Sequence, residues 1–262
     1  MYSFEVDKPD SVDAAVAALA VEDAQALGGG QTLIPTLKQR LASPSRLVSL
    51  TGIAAMKGVS SADGVVTIGG GTNHGTVAAD AASAYPALAA LAGNIGDPAV
   101  RNRGTIGGSL ANNDPAACYP SAALASGATI VTNSREIAAD DYFQGMFTTA
   151  LEEGEVITSV RFPVPEAANY QKFEQPASRF ALVGVFVARF ADGVRVAVTG
   201  ASEEGVFRWS EAEAALSGNF AAEAIDGLSL SGDGMISDLH GTGDYRAHII
   251  KVMTQRAVKA AS

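Results

Sequence analysis

The sequence predicts an α+β fold, and three observations carry that reading. About the first fifty residues alternate short apolar strands with helical patterns, a β-α-β-α-β order compatible with a small parallel sheet. From Met56 to Phe162 strands, helices and glycine-rich turns are mixed. After Pro163-Val164-Pro165, apolar or alternating runs joined by a turn at Asp192-Gly193 read as an antiparallel meander, and helical patterns follow. The proline pair marks the expected boundary. Residues 1–163 then form one domain in two parts, about 1–55 and 56–163, and 164–262 form a second.

Phe4 to Lys8 reads as a strand, and Ser11 caps a helix to about Ala20 with Val12, Ala15, Val16 and Leu19 on one face. Ala24–Leu27 is a second strand running into Gly28-Gly29-Gly30-Gln31-Thr32. Leu33, Ile34, Leu37 and Leu41 have helical spacing, Pro35 suits a first turn, and Lys38 and Arg40 suit the far end. A strand over Leu47–Leu50 completes the unit.

Val65–Ile68 is a strand that ends in Gly69-Gly70-Gly71-Thr72, and Asn73-His74-Gly75 leads into a helix over Thr76–Ala82. His74, beside a glycine turn, is placed to touch a ligand, with a plain surface position as the alternative the sequence favours. Tyr85-Pro86 opens a helix with Leu88, Leu91 and Ile95 on one side. Further on, Pro120–Ser126 reads as helix, Thr129–Thr132 as strand and Glu136–Ala139 as a short edge strand. Tyr142-Phe143 begins a loop, and Glu155–Phe162 is a strand. The meander comprises Tyr170–Glu174, Ala181–Phe190 and Val194–Thr199, closed by Phe207-Arg208. Helices follow at about Ser210–Leu216 and Phe220–Ile225. The last helix, Asp244 to Met253, aligns Tyr245, Ile249, Val252 and Met253.

With 262 residues, 47% apolar and 18% charged, the chain can bury a substantial core. A net charge of -10 argues against a protein that tracks nucleic-acid phosphates. One cysteine, Cys118, excludes an internal disulfide and any four-cysteine cluster. His74, His240 and His248 are scattered, so no protein-bound metal is expected. Met1 to Asp7 has neither the basic nor the apolar region of a signal peptide, and no apolar run nears the ~20 residues of a membrane span. A cytoplasmic location is the expectation.

Two glycine-rich stretches stand out. Gly28-Gly29-Gly30-Gln31-Thr32 lies between a strand and a helix start, where unpaired amides and a helix dipole suit a phosphate. Its spacing is neither GxGxxG nor GxxxxGK[ST], and an ordinary turn between a strand and a helix looks the same. In Gly104-Thr105-Ile106-Gly107-Gly108-Ser109-Leu110-Ala111-Asn112-Asn113-Asp114-Pro115, the glycine pair reads as a tight turn or as a close-approach site. Arg101 and Arg103 just before it favour the site.

Together the two stretches carry a resemblance. Gly28 to Pro35 resembles the AGGQSLIP loop of the FAD-binding medium subunits of molybdenum hydroxylases, and Ile95 to Ala117 resembles their longer second signature. The likeness continues through Tyr170-Gln171-Lys172-Phe173, Pro176 to Ala181 and Asp244 to His248, and is strongest to the aerobic carbon-monoxide dehydrogenase type, with xanthine dehydrogenases in the same family.

The resemblance implies a two-part FAD domain related to the vanillyl-alcohol oxidase fold, then a smaller α+β domain. It implies that Gly28, Gly29, Gly30, Gln31, Thr32, Leu33 and Ile34 hold the pyrophosphate. Thr105, Gly107, Gly108 and Ser109 approach from the other side, and Asp114 lies beside the ligand. Ile157 packs near the adenine or flavin, and Lys172 sits near the isoalloxazine. The chemistry on substrate belongs to a molybdenum cofactor in a large partner subunit, linked by two [2Fe-2S] clusters in a small one, with a dimer of heterotrimers as the assembly. The lone Cys118 fits that division, since this chain cannot ligate the clusters.

One residue departs from the pattern. The family reads Asp-Pro-Ala-Ala-Asp-Tyr-Pro where this chain reads Asp114-Pro115-Ala116-Ala117-Cys118-Tyr119-Pro120. The second carboxylate contacts FAD hydroxyls in relatives, and a thiol accepts hydrogen bonds poorly by comparison. Beside the electron-transfer subunit stand two alternatives: a free-standing flavin oxidoreductase, and an interaction subunit whose flavin site has decayed.

Overall fold

The computed structural model describes residues 1–261. β1 (Glu5–Asp7), α1 (Val12–Leu19), β2 (Ala24–Leu27), α2 (Leu33–Lys38) and β3 (Arg46–Ser49) build the expected parallel sheet, in the order β1-β3-β2. Ser11 Oγ accepts the Ala14 amide at 3.3 Å and starts α1. That helix buries Ala15 and Leu19 beside Val48.

The second helix is shorter than its apolar spacing predicts. Arg40 adopts φ 62°, its amide bonds to the Leu37 carbonyl, and the Leu41 amide bonds back to Thr36. This left-handed cap stops α2 at Lys38 and leaves Leu41 exposed.

Next come β4 (Val59–Ala62), β5 (Val65–Gly69), α3 (His74–Asp80), α4 (Pro86–Gly93), α5 (Pro98–Arg101), α6 (Ile106–Asn112) and α7 (Tyr119–Ser126). They are followed by β6 (Thr129–Thr132), β7 (Glu136–Ala138), α8 (Ala139–Tyr142), β8 (Phe143–Gly145), β9 (Thr148–Thr149) and β10 (Ile157–Pro163). Five of these strands form an antiparallel sheet in the order β4-β5-β10-β6-β7, with the predicted edge strand β7 at one rim. The other rim, β4, is a strand the sequence hides, because Ser60, Ser61 and Ala62 are exposed and give no apolar signal. Tyr142 ends the short helix α8 rather than opening a loop, and a small hairpin follows.

The stretch from Gly104 to Pro115 is neither a loop nor a turn between strands. Its centre is α6, whose start Thr105 caps by accepting the Gly108 amide at 3.1 Å. Two glycines in the first turn, among the weakest helix formers, conceal this helix in the sequence.

The last part contains β11 (Ala167–Glu174), β12 (Ala181–Phe190), β13 (Gly193–Ser202) and β14 (Gly205–Arg208), a meander in that order. α9 (Ser210–Gly218), a 3₁₀ turn at Ala222–Ile225 and α10 (Gly243–Ala261) complete it. Thus the element expected over Phe220–Ile225 is only a single tight turn, and the last helix runs on well past Met253. Val183, Val185 and Val187 of β12 pack with Trp209, Ile250 and Met253, whereas Phe186 and Ala188 join the core around α7. Covered on both faces, β12 reads as an almost unbroken apolar run.

Candidate cofactor cleft

A cleft of about 820 Å³ is lined by residues following β2 and β5, flanking α6, beginning β10, and lying on β11 and its turn. That volume falls in the usual ~300–1,000 Å³ range of small-molecule sites. Fourteen of the fifteen candidate residues line it: Gly28, Gly29, Gly30, Gln31, Thr32, Leu33, Thr105, Gly107, Gly108, Ser109, Asp114, Cys118, Ile157 and Lys172. Ile34 does not. It faces a smaller adjoining hollow with Pro35, Lys38 and Arg103, because it follows Leu33 on α2 and points a helical step away.

The first glycine stretch forms one wall. Among the described residues, no backbone N–H from Gly29 to Leu33 has an acceptor within the chain. Gln31 Nε2 donates to the Gly29 carbonyl at 3.1 Å and braces the loop. Gly29 is buried, and a Cβ there would overlap the Arg103 carbonyl, so this glycine lets the two signature stretches touch.

The opposite wall is organised differently. The Gly107 amide donates to Gly70 at 2.9 Å, and the Gly108 amide is already spent on the Thr105 cap. A Cβ on Gly107 would come within 2.6 Å of the Gly70 carbonyl. Hence Gly107 serves the seam between α6 and the end of β5, while Gly108 is exposed and Ser109 stands beside it. The wall offers bare backbone and a hydroxyl rather than free amides.

The loop between α6 and α7 carries Asp114 and Cys118. Asp114 Oδ1 accepts the Ala116 amide at 2.8 Å. The loop is braced from the meander: Thr199 Oγ1 shares its proton between the Pro115 and Ala117 carbonyls (2.8 and 2.7 Å), and the Gly200 amide donates to Pro115 at 2.6 Å. Behind them the buried Arg246 of α10 donates to Leu182 (2.9 Å) and Gly200 (2.8 Å). Cys118 is only 5% exposed. Burial pushes its thiol pKa up, and the Lys172 ammonium partly opposes this. Lys172 Nζ donates to the Asn94 carbonyl at 2.6 Å and lies 3.9 Å from Cys118 Sγ.

Several further groups line the cleft, of which the sequence marks only His74 as placed to touch a ligand. Gly70 and Gly71 line the cleft at the end of β5, where a third glycine cluster was the available signal. His74 is buried, not superficial: its amide donates to Gly104 at 3.0 Å and its ring lies 5.3 Å from that of Tyr119. Burial, then the Arg101 charge, lowers its pKa to about 4, so the imidazole is neutral near pH 7. Glu155 accepts from Thr132 (2.7 Å), Ser134 (2.9 Å), Arg135 and the Glu152 amide (2.8 Å). The Arg135 bond is the main reason its pKa falls to about 2. Ser178 and Arg179, with φ 62° and 55°, form a left-handed turn at the cleft's lip.

A cleft with one wall of free amides, an opposing wall of bare backbone and small hydroxyl side chains, and cations at one side defines a binding protein for a phosphorylated dinucleotide cofactor. Residues 2–165 match the family described as FAD binding domain in molybdopterin dehydrogenase, and the chain belongs to it. It is an oxidoreductase subunit whose cofactor is FAD.

The chain is 33% identical over 271 residues to the nicotine 6-hydroxylase medium subunit of Paenarthrobacter nicotinovorans, covering 97% of this chain and 95% of that one. It is 33% identical over 278 residues to the carbon monoxide dehydrogenase medium chain of Afipia carboxidovorans, covering 99% and 96%. Among solved structures, quinoline 2-oxidoreductase from Pseudomonas putida 86 superposes with a TM-score of 0.89 at 30% identity, covering 99% of this chain and 97% of that one. No helix among the described residues is long and apolar enough to cross a membrane.

Proposed function

We propose that this chain is the medium subunit of a heteromeric molybdenum hydroxylase of the carbon-monoxide dehydrogenase type, with FAD lying along the cleft. The observation that carries the residue-level reading is the run of unpaired amides from Gly29 to Leu33 facing the exposed Gly108. The amides suit the pyrophosphate, and Thr105, Gly107, Gly108 and Ser109 leave room for the ribityl chain and phosphates on the other side. Lys172 and Ile157 belong to the flavin end, with Asp114 and Cys118 beside the cofactor hydroxyls; Ile34 supports the loop from behind. The chemistry that FAD supplies when bound is electron transfer between partner-held [2Fe-2S] clusters and an external acceptor. This chain's own residues bind and orient it.

The partners in this reading are a small [2Fe-2S] subunit and a large molybdopterin subunit, assembled as a dimer of heterotrimers, in the cytoplasm. The same reading divides the chain into an FAD domain over 1–163, in parts 1–55 and 56–163, and a C-terminal domain over 164–262. The extent of the family match, 2–165, supports that division.

The absorbance spectrum of the purified chain, followed by acid release, tests the proposal. Flavin bands, with free FAD in the supernatant, are expected. A colourless protein that takes up no added FAD refutes it, and substrate oxidation by the isolated chain favours a free-standing oxidoreductase instead.

A further inference from the structure

Four charged side chains line the cleft: Asp114, Glu155, Lys172 and Arg179. Glu155 is tied to Arg135. Lys172 is half-buried, and its ammonium is fixed by the Asn94 carbonyl at 2.6 Å. None of the ion pairs among the described residues includes it. The side chain beside it is a neutral thiol, Cys118 Sγ at 3.9 Å. Lys172 therefore has a backbone carbonyl and a thiol beside its ammonium and, among the described residues, no carboxylate. Here the missing partner coincides with the wall of the cofactor cleft.

Lys172, Tyr170 and Glu174 of β11 act on Cys118, and Tyr119 is its neighbour on α7. Glu174 is exposed and forms no ion pair among the described residues, so its charge is largely screened by solvent. The Tyr119 and Tyr170 hydroxyls are buried, and burial keeps both protonated. Among the charges acting on Cys118, the Lys172 ammonium is the cation, and Asp114 is a carboxylate on the same loop that also lines the cleft.

We propose that Cys118 sets the redox bias of the cleft: as an uncharged thiol it leaves Lys172 without a counter-ion, so the ammonium charge acts on the bound FAD and raises its reduction potential. The inference rests on the FAD reading above. Two-electron reduction with uptake of one proton leaves the isoalloxazine with one added negative charge, whereas a second proton would cancel it. A cation held at the wall favours that product over the neutral oxidised ring. A carboxylate at position 118 would sit within ion-pair reach of Lys172 and cancel much of the effect. Cys118 thus acts through Lys172 and is a positioning residue for charge, not a catalytic one.

The test compares the wild-type chain with Cys118→Ser, Cys118→Asp, Lys172→Gln and the Asp/Gln double variant. Midpoint potentials of bound FAD are read by equilibration with redox dyes, and affinities by titration with oxidised and reduced FAD. Lys172→Gln and Cys118→Asp should each lower the reduced-to-oxidised affinity ratio about tenfold, or about 30 mV in a two-electron couple. Cys118→Ser should leave it unchanged, and the double variant should fall no lower than Lys172→Gln. An unchanged potential in Lys172→Gln overturns the proposal, even if Cys118→Asp fails to fold. So does a Cys118→Asp effect of full size in the Lys172→Gln background, because the carboxylate then acts on the cofactor directly.

A second arm needs no flavin. Cys118 is the chain's single thiol, so the pH dependence of its alkylation by iodoacetamide reports its titration alone. Lys172→Gln should move that profile to higher pH, and an unmoved profile overturns the coupling. A wild type that shows the coupling but takes up no FAD overturns the cofactor reading instead, so the two failures are distinguishable.

Discussion

The backbone of Gly29 lies so close to the Arg103 carbonyl that a Cβ on Gly29 would overlap it. The two signature stretches therefore touch each other, main chain to main chain, before either touches a ligand. Gly29→Ala should push them apart. Overpacking of this kind costs about 1–3 kcal/mol, and the amide wall should lose its register. The expected outcome is loss of bound flavin together with a lower Tm. Gly108→Ala is the comparison: its Cβ would stand 3.0 Å from Thr105 Oγ1, the cap oxygen of α6, and meet no backbone, so the smaller effect is expected there. A Gly29→Ala protein with normal flavin content and Tm contradicts this account.

Thr199 holds the Pro115 and Ala117 carbonyls from the far side of the cleft. Thr199→Val keeps the shape and removes the proton, leaving partly buried acceptors short of a donor, at about 1 kcal/mol. The Gly200 amide still holds Pro115, so the fold should survive. The freed loop should bind FAD about tenfold more weakly, about 1.4 kcal/mol, as measured by fluorescence titration. Wild-type affinity in a destabilised protein would confine Thr199 to a purely structural role.

His74 predicts a pH dependence. Its pKa in the folded chain is about 4, below the ordinary 6.5, so the unfolded chain binds the proton more readily. Stability should therefore fall as pH drops from about 6.5 to about 4, by about 3 kcal/mol at most. His74→Leu should flatten that segment of the curve in urea unfolding at stepped pH. Glu155 acts in a lower window, because its pKa of about 2 lies below the ordinary 4.5. Its contribution is complete above 4.5 and is lost as pH falls toward 2. A His74→Leu protein with an unaltered slope between pH 4 and 6.5 would place the titration elsewhere.

Ser178 and Arg179 occupy left-handed backbone without being glycine or asparagine. Such a conformation costs about 1–2 kcal/mol per residue, and the turn lies at the lip of the cleft. Ser178→Gly should relieve part of that cost and raise Tm by about 2–4 °C per kcal/mol. Calorimetry on the FAD-free chain gives the reading, and a lowered Tm would mean that the serine makes a compensating contact.

The parallel unit, the meander and the first glycine wall were legible because period and punctuation agreed: Ser11 caps, Gly28 to Gly30 interrupt, and the β12 run is apolar throughout. The helix α6 was not, since Gly107 and Gly108 suppress the helical signal while Thr105 restores it by a side-chain bond. Nor was the burial of His74, which depends on Gly104 and Tyr119 closing over it from distant positions. Fourteen of the fifteen candidate residues line one cleft, and Ile34 lines the adjoining hollow. A signature records which residues adjoin a site, and helix geometry decides which of them turn toward it.

The brace from Arg246 through Gly200 and Thr199 to Pro115 has a consequence for the order of events during synthesis. A ribosome delivers the glycine walls early and α10 last. Until α10 docks, Gly200 lacks its anchor and the Cys118 loop lacks its support, although both glycine stretches have long been available. Cofactor loading is then a late event that certifies a finished chain: a ribosome-tethered product ending before Gly243 should carry no flavin, whereas one extended past Ala261 should.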